Sequence, residues 1–388
     1  MDFPIIGVIG GGQLARMMAP AATALGFELR VLAEGPQVSA VAAVANATVG
    51  DYRNLQDLTD FAAQVDVVTF DHEHVPGEHL RALVEKGINV QPGPAALIHA
   101  QDKLVMRAAV ERLGLPNPRW AEVSTPGELA SFGNAAGWPV VLKTPRGGYD
   151  GKGVRIVDDA AAAADCADWF GSGPLLVEEK VPFDRELSAL VARTPSGESR
   201  AWPVVESIQV HGVCDEVIAP APHLDAAVAD AAAAAALRLA EELGVTGVMA
   251  VELFETPGRG PGFLINELAM RPHNSGHWTM DGSVTGQFEQ HLRAVLDLPL
   301  GATAVRGGAA VMKNFLGGDN NDLFAAYPLA LAAEPAVKVH TYGKSVRPGR
   351  KIGHVNAVGS ADDLPALRRS AGRAAAIIRD GRDPLKEN

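Results

Sequence analysis

The sequence predicts a protein of mixed α/β and α+β architecture that begins with a doubly wound parallel sheet. Short apolar runs alternate with stretches of helical spacing over about the first 95 residues, which is typical of parallel sheets. Farther along, pairs of short strands flank glycine-rich turns, which indicates antiparallel hairpins. A chain of 388 residues is also too long for one ordinary core, so we expect two or three domains.

The individual elements follow from hydrophobic spacing and from the positions of glycine and proline. In the amino-terminal part we expect strands over residues 4–9, 27–32 and 65–70, and a helix over 13–25. A helix over 102–113 ends before Pro116. Beyond it we expect a helix over 226–243 and strands over 140–143, 154–157, 175–179, 186–192, 247–254 and 263–267. The tail from residue 307 reads as rich in β-structure.

Composition and charge exclude several classes of function. The formal net charge is -12, and binding to nucleic acid or to an anionic membrane needs a basic face, so we expect neither partner. We see no run of about 18 strongly apolar residues. The first residues lack the basic region and cleavage site of a signal peptide. Cys166 and Cys214 lie far apart and outside any C-x-x-C pattern, which favours a reducing, cytoplasmic compartment.

A glycine-rich junction follows the first predicted strand. Gly10-Gly11-Gly12-Gln13-Leu14-Ala15 fits the G-x-G-x-x-A fingerprint of dinucleotide binding, and Glu34 lies near the place of a ribose-binding acid. The motif is weak alone, because any junction of strand, glycine and helix offers free N–H groups to an anion. It fits NAD(P), another phosphate ligand, or close packing without a ligand.

The segment Gly147-Gly148-Tyr149-Asp150-Gly151-Lys152-Gly153 is more specific. Its glycines let the backbone approach an anion closely, and Lys152 adds charge. It is not a Walker A loop, because the G-x-x-x-x-G-K-[ST] pattern is absent and a strand follows. We predict a hairpin lid over phosphates, with Lys143 in the preceding strand reaching the α- or β-phosphate as a point charge. The alternative is a flexible surface turn.

Two carboxylates interrupt apolar runs on the two strands of a predicted hairpin, Glu252 on one and Glu267 on the other. Buried carboxylates need partners, and a facing pair usually needs a cation. Mg²⁺, or Mn²⁺ in its place, accepts one or two protein carboxylates and fills its shell with water and ATP phosphates. Asn266 could add an oxygen. The alternative is two separate carboxylates, each paired with an arginine.

Three further polar segments are candidates for binding. Arg271-Pro272-His273-Asn274-Ser275-Gly276-His277 is a dense set of donors, which suits the stabilisation of an oxyanion. Asp71-His72-Glu73-His74 fails the H-E-x-x-H zinc pattern because Pro76 takes the last place, so we interpret Glu73 as a substrate contact and the histidines as structural. The basic stretch Lys344, Arg347, Arg350 and Lys351 is either a solvated face or a site for a substrate phosphate.

Together these segments resemble the ATP-grasp superfamily, and within it the N5-carboxyaminoimidazole ribonucleotide synthetase family. The resemblance covers nearly the whole chain, and its most telling parts are residues 10–17, 147–153, 266–267 with 271–277, and 347–354. It implies an ATP-grasp fold of three domains, with ATP between the last two. These are a doubly wound domain (1–101), a linker helix with a small lid (102–180), and a larger carboxyl-terminal domain with the β-rich tail (181–388).

The resemblance also implies a role for individual residues. The ATP pocket would comprise Lys103, Lys143, Gly148, Tyr149, Asp150, Gly151, Lys152, Gly153, Val154, Glu178, Glu179, Lys180, Val181, Glu186, His211, Asn266 and Glu267. Glu252 and Glu267 would bind the metal ion. The catalytic residues would be Arg271, His273, Asn274 and Lys351, with bicarbonate held by Arg271, His273 and Lys351. The ribonucleotide would bind to Gln13, Leu14, Glu73, Lys344, Arg350 and Lys351.

The reaction implied by the resemblance belongs to de novo purine biosynthesis. ATP, bicarbonate and 5-aminoimidazole ribonucleotide would give N5-carboxyaminoimidazole ribonucleotide, ADP and phosphate through carboxyphosphate. A homodimer is also implied. One alternative is a sister ATP-grasp enzyme, the formate-dependent glycinamide ribonucleotide transformylase. An NAD(P)-dependent oxidoreductase rests on residues 10–15 and Glu34 alone, and a non-catalytic nucleotide-binding protein would bind ATP without turnover.

Overall fold

The computed structural model describes residues 3–148 and 153–386. Within these ranges the strands form a parallel sheet of four strands, an antiparallel sheet of four and an antiparallel sheet of nine. Four residues of the predicted ATP pocket, Tyr149, Asp150, Gly151 and Lys152, lie outside the described residues. Among the described residues no helix is long and apolar enough to span a bilayer.

The amino-terminal part contains the predicted parallel sheet, which is confirmed. Its strands are β1 (Ile5–Ile9), β2 (Glu28–Ala33), β3 (Asn46–Val49) and β4 (Val67–Phe70), in the order β3-β2-β1-β4. Its helices are α1 (Gln13–Leu25), α2 (Leu55–Ala62), α3 (Gly77–Glu85) and α4 (Pro94–Gln101). The carboxyl ends of parallel strands share one sheet edge, so the loops after β1 and β4 lie side by side.

The small antiparallel sheet contains the glycine-rich hairpin. Its elements are α5 (Lys103–Arg112), β5 (Trp120–Val123), α6 (Pro126–Ala136), β6 (Val140–Lys143), β7 (Val154–Val157), α7 (Ala160–Ala164) and β8 (Leu175–Glu179). The strand order is β5-β8-β6-β7. β6 pairs with β7 in an antiparallel register that places Lys143 opposite Val154, so the predicted hairpin is confirmed.

The large antiparallel sheet has the order β14-β13-β9-β11-β12-β15-β17-β16, with β10 paired to β9. Its strands are β9 (Glu186–Arg193), β10 (Ser199–Ala201), β11 (Val205–Val210), β12 (Val213–Ala219), β13 (Gly247–Glu255), β14 (Phe263–Ala269), β15 (Ala309–Leu316), β16 (Lys338–Thr341) and β17 (Lys351–Gly359). The helices are α8 (Ala226–Glu242), α9 (Thr279–Gly282), α10 (Gln287–Val295), α11 (Leu323–Ala333) and α12 (Leu364–Asp380). The predicted domain boundaries after residues 101 and 180 stay predictions.

The tail differs from the β-rich segment that we expected. It contains β15, β16 and β17, but also α11 and the 17-residue helix α12. α12 packs against β15 and β17 and buries Ala371, Ala374, Ala375, Ile377 and Ile378. These residues recur at helical spacing, a signal that was present in the sequence and that the β-rich interpretation overlooked.

A buried histidine joins the parallel sheet to the large antiparallel sheet. His291 on α10 is fully buried, and its Nε2 lies 2.8 Å from Thr69 Oγ1 on β4. Its Nδ1 accepts a hydrogen bond from the Val248 N–H on β13 at 3.0 Å. Because Nδ1 accepts, the neutral ring carries its proton on Nε2 and donates to Thr69. Burial lowers the pKa of His291 to about 3.

This histidine makes the stability of the fold depend on pH. The unfolded chain protonates the ring near pH 6.5, whereas the folded chain resists protonation down to about pH 3. The contribution of His291 to the free energy of unfolding is therefore complete above pH ~6.5, and below that pH this contribution falls by ~1.4 kcal/mol per pH unit. Denaturant titrations at several pH values between 5 and 7.5 measure this slope. Other buried histidines also have lowered pKa values, so His291→Gln, which does not titrate, should reduce the slope by this contribution, and an unchanged slope would contradict the assignment.

Candidate active site

A cavity of about 890 Å³ is lined by residues from the loops of all three sheets. Of the predicted residues, those that line it are Gln13, Leu14, Glu73, Lys103, Gly148, Glu186, Glu252, Asn266, Glu267, Arg271, His273, Asn274, Lys344, Arg350 and Lys351. The fold therefore brings together segments from both ends of the chain. Parallel-sheet loops, a hairpin lid and a second sheet converge on one polar cleft.

Other predicted residues do not line the cavity. These are Lys143, Gly153, Val154, Glu178, Glu179, Lys180, Val181 and His211. Lys143 and Glu178 are buried against each other, and Glu179 accepts hydrogen bonds from Arg119 and is paired with Arg259. His211 is exposed in the turn between β11 and β12, beside Gly212, which does line the cavity.

Glu252 and Glu267 face each other directly across β13 and β14. Lys103 Nζ lies 2.8 Å from Glu267 Oε1, and His273 Nε2 lies 3.3 Å from Glu252 Oε1. Burial, followed by the charge of Glu267, raises the pKa of Glu252 to about 8. Although burial opposes the effect, Lys103 and Lys143 lower the pKa of Glu267. The two carboxylates thus repel each other, and a cation between them would relieve the repulsion.

The donor set around this pair fits a magnesium ion. The side chains of Glu252 and Glu267 are 27% and 37% exposed, so both carboxylates open into the cavity. Among the described residues no group of three or more His, Cys, Asp or Glu side chains has the geometry of a metal site. At nucleotide sites, Mg²⁺ typically binds one or two protein carboxylates, and water and phosphate oxygens fill its remaining coordination positions.

Arg107 is a buried residue behind the cavity wall that the sequence interpretation missed. Its side chain is fully buried on α5, and its Nε pairs with Glu178. Nη1 donates to the Ile265 carbonyl at 2.7 Å and Nη2 to the Asn266 carbonyl at 2.8 Å. An arginine on the apolar face of a predicted helix was the available signal, because a buried guanidinium requires a carboxylate partner.

Glu178 is held between two cations. Lys143 Nζ lies 2.7 Å from Glu178 Oε2 and 3.5 Å from Asn266 Oδ1, while Arg107 pairs with the other oxygen of Glu178. Although burial opposes the effect, Lys143 and Arg107 lower the pKa of Glu178 to about 2. The carboxylate is therefore ionised and fully engaged within the protein.

The predicted donor run is held rigidly at the cavity wall. Arg271 Nε lies 2.7 Å from Glu73 Oε2, so Glu73 orients this guanidinium. The Ser275 N–H donates to His273 Nδ1 at 3.4 Å, which leaves the ring proton on Nε2, facing Glu252. Burial, with Arg271 and Lys351 nearby, lowers the pKa of His273 to about 3, so the ring is a neutral donor. Asn274 Oδ1 is buried without a partner among the described residues.

The side-chain amide of Gln287 was not foreseen from the sequence. Its Oε1 accepts the His273 N–H at 2.9 Å, and its Nε2 donates to the His273 carbonyl at 2.9 Å. The same Nε2 lies 2.8 Å from His277 Nδ1. One buried amide therefore fixes the backbone of the loop after β14, and the donors of this loop stay aimed at the cavity.

The dinucleotide interpretation of the glycine-rich junction is wrong. Glu34 Oε2 accepts the Gly11 N–H at 2.9 Å, and its other oxygen lies 3.1 Å from His72 Nε2. The supposed ribose-binding acid is therefore used inside the protein. A Cβ on Gly12 would lie 1.9 Å from Asp71 Oδ2, so glycine is required there for Asp71 to reach the start of α1.

The basic stretch turns toward the cavity rather than to solvent. Lys344, Arg350 and Lys351 line the cavity, whereas Arg347 does not. Lys344 Nζ donates to Gln13 Oε1 at 2.7 Å, which joins the stretch to the start of α1. For three of the four cations, this position favours a binding site over a merely solvated face.

Comparisons with known protein families match almost the whole chain. The ribonucleotide synthetase preATP-grasp domain matches residues 3–101, and the ATP-grasp domain matches residues 108–288. The phosphoribosylaminoimidazole carboxylase C-terminal domain matches residues 310–366.

Two curated relatives are similar over nearly their full lengths. The N5-carboxyaminoimidazole ribonucleotide synthase of Corynebacterium ammoniagenes is 51% identical over 381 residues, which cover 97% of this chain and 92% of the relative. The synthase of Mycobacterium tuberculosis strain H37Rv is 50% identical over 391 residues, which cover 98% of this chain and 89% of the relative. At this identity the formate-dependent and the NAD(P)-dependent alternatives are wrong.

Solved structures agree with these relatives. The synthetase from Thermus thermophilus superposes with a TM-score of 0.85 at 37% identity, covering 98% of this chain and 99% of that one. The synthase from Aspergillus clavatus, in complex with ADP and 5-aminoimidazole ribonucleotide, superposes with a TM-score of 0.87 at 28% identity. The match covers 97% of this chain and 99% of that one. The chain belongs to the ATP-grasp family of N5-carboxyaminoimidazole ribonucleotide synthases, ATP-dependent ligases that carboxylate 5-aminoimidazole ribonucleotide in purine biosynthesis.

Proposed function

We propose that this chain uses Mg-ATP and bicarbonate to carboxylate 5-aminoimidazole ribonucleotide through carboxyphosphate. The observation that carries the proposal is the facing pair Glu252 and Glu267, which shares one cavity with the donor run that begins at Arg271. These two carboxylates would hold Mg²⁺ or Mn²⁺. When bound, the ion neutralises charge on the β- and γ-phosphates.

In the proposal, ATP lies between the small sheet and the large sheet. Its phosphates face Lys103, Lys143 and the hairpin loop, and Glu186 holds the ribose hydroxyls. Support for a ribose contact comes from the position of Glu186 in the cavity wall, where burial, followed by the charge of Glu267, raises its pKa to about 7. The backbone of residues 178–181 would read adenine. The proposed ATP pocket comprises Lys103, Lys143, 148–154, Glu178, Glu179, Lys180, Val181, Glu186, His211, Asn266 and Glu267.

Bicarbonate would bind at the donor run. Arg271, His273 and Lys351 are proposed to hold it, with Asn274 beside them. Neutral His273 would donate from Nε2, and a bicarbonate oxygen would attack the γ-phosphorus as the bond to the β–γ bridging oxygen breaks and ADP leaves. The exocyclic amine of the ribonucleotide then takes the carboxyl group and loses a proton, as phosphate departs. Closure of the hairpin would keep water from the labile intermediate.

The ribonucleotide would bind at the amino-terminal edge of the cavity, against Gln13, Leu14, Glu73, Lys344, Arg350 and Lys351. We place its phosphate on the basic stretch rather than at the start of α1. Two N–H groups there are already used, because Gly11 donates to Glu34 and Ala15 donates to Asp71 at 2.8 Å. The contact between Lys344 and Gln13 also supports one continuous site.

We further propose a cytoplasmic homodimer. The two cysteines, Cys166 and Cys214, are free thiols, which fits a reducing compartment. On α11, the exposed fractions of Phe324 and Leu331 are 78% and 43%, and a second copy of the chain that covered them would remove this apolar surface from water. Light scattering coupled to gel filtration measures the mass, and a monomer at micromolar concentration would contradict the dimer.

A substrate-omission assay tests the proposed reaction. We expect ADP formation to need ATP, bicarbonate and 5-aminoimidazole ribonucleotide together, and to fall to background when bicarbonate is removed by degassing. Formate with glycinamide ribonucleotide should give no ADP. Turnover that is indifferent to bicarbonate would exclude the proposed carboxyphosphate route.

A further inference from the structure

Three charged side chains form a buried row behind the proposed phosphate site. Arg107, Glu178 and Lys143 alternate in charge, and their side chains are only 0%, 4% and 9% exposed. Lys143 lies at the cavity end of the row, where its Nζ is 3.5 Å from the side-chain oxygen of the cavity residue Asn266. Arg107 lies at the other end, where it donates to the Asn266 carbonyl, and neither Arg107 nor Lys143 lines the cavity itself.

We propose that Arg107 is a positioning residue for ATP, which acts by neutralising Glu178 so that Glu178 does not cancel the positive charge of Lys143 beside the nucleotide phosphates. The inference rests on the proposed placement of Lys143 at those phosphates. The row has two cations and one carboxylate, so its net charge is positive. Without Arg107, the Glu178 carboxylate at 2.7 Å would cancel the charge of Lys143, and the attraction that Lys143 adds for phosphate would be lost.

The hydrogen bonds of Arg107 also place the neighbouring groups. Its Nη1 and Nη2 donate to the carbonyls of Ile265 and Asn266, directly before the metal-ligand candidate Glu267. Its Nε pairs with Glu178 on β8, so one guanidinium joins the small sheet to the large sheet. A lysine would keep the charge but could not reproduce this planar set of donors. Charge and geometry can therefore be separated by substitution.

The test compares Arg107→Met, Arg107→Lys and the double variant Arg107→Met/Glu178→Gln. Calorimetric titration with Mg-ADP measures nucleotide affinity, and the melting temperature reports folding. We expect Arg107→Met to raise the Kd at least ~10-fold, because the net charge beside the phosphates disappears. The double variant also lacks the Glu178 charge, so the row regains its net positive charge and should recover most of the affinity for ADP. Arg107→Lys should bind within ~3-fold of wild type, since the charge is kept. The KM for the ribonucleotide should change little in all three.

Two results would overturn the inference. One is equal loss of ADP affinity in Arg107→Met and in the double variant, and the other is loss of that affinity in Arg107→Lys. The lysine variant decides the question even where Arg107→Met fails to fold. Lys143→Met tests the underlying placement separately. If Lys143→Met binds ADP as tightly as wild type, Lys143 does not contact the phosphates. If Lys143→Met binds ADP more weakly but Arg107→Met binds it normally, the role of Arg107 is refuted and the placement of Lys143 stands.

Discussion

Replacing Glu267 by glutamine should lower kcat at least ~100-fold, which corresponds to ~2.7 kcal/mol of lost transition-state stabilisation. The change is isosteric, so packing between β13 and β14 is retained. What is lost is one of two facing carboxylates, and with it the negative charge that a divalent cation needs at this position. Lys103 also loses its carboxylate partner at 2.8 Å.

Steady-state ADP formation with saturating substrates, measured over a range of Mg²⁺ concentrations, checks this expectation. Glu122→Gln is the matched control, because Glu122 is an exposed carboxylate on β5 outside the cavity. The control should keep wild-type rates. A Glu267→Gln enzyme that turns over at the wild-type rate with an unchanged Mg²⁺ requirement would remove the metal assignment.

Replacing Lys351 by alanine should lower kcat, or the apparent affinity for bicarbonate, by ~100-fold while Mg-ADP binds as in wild type. Lys351 begins β17 and lines the cavity, where its charge helps to lower the pKa of His273. In the proposed site this ammonium faces the bicarbonate that becomes carboxyphosphate. The developing negative charge would then lose one of its cations.

The assay separates turnover from nucleotide binding. Rates are measured against bicarbonate concentration, and ADP affinity is measured by calorimetry. Lys338→Ala is a suitable control, because Lys338 is exposed on the neighbouring strand β16 and does not line the cavity. A selective loss of ADP affinity in Lys351→Ala, with normal bicarbonate dependence, would place this lysine at the nucleotide instead.

Much of the fold could be predicted because its signals are local. The β6–β7 hairpin has an apolar strand on each side of a glycine-rich turn, and the structure pairs these strands as expected. The β13–β14 hairpin follows the same rule. The tail was interpreted less well, because α12 mixes arginines with its buried alanines and isoleucines, and its helical spacing was not weighed against the neighbouring strands.

The candidate site was only partly predictable. A carboxylate inside an apolar run, as at Glu252 and Glu267, is visible from the neighbouring residues, since burial without a partner is costly. The contacts of Arg107, Glu34 and Gln287 are different. Each of these side chains is satisfied by groups that lie elsewhere in the chain, and spacing along a sequence does not identify such partners.

The sequence by itself determined the order of strands and helices, the glycine-rich hairpin and, through its motifs, the family. Local spacing suffices for these features, because hydrophobic periodicity and turn chemistry act over a few residues. The tertiary structure alone decided that Glu34 accepts the Gly11 N–H rather than binding a ribose, and that Arg107 shares Glu178 with Lys143. The reason is physical: a charge takes the partner that folding places within hydrogen-bonding distance, and burial strengthens that pairing.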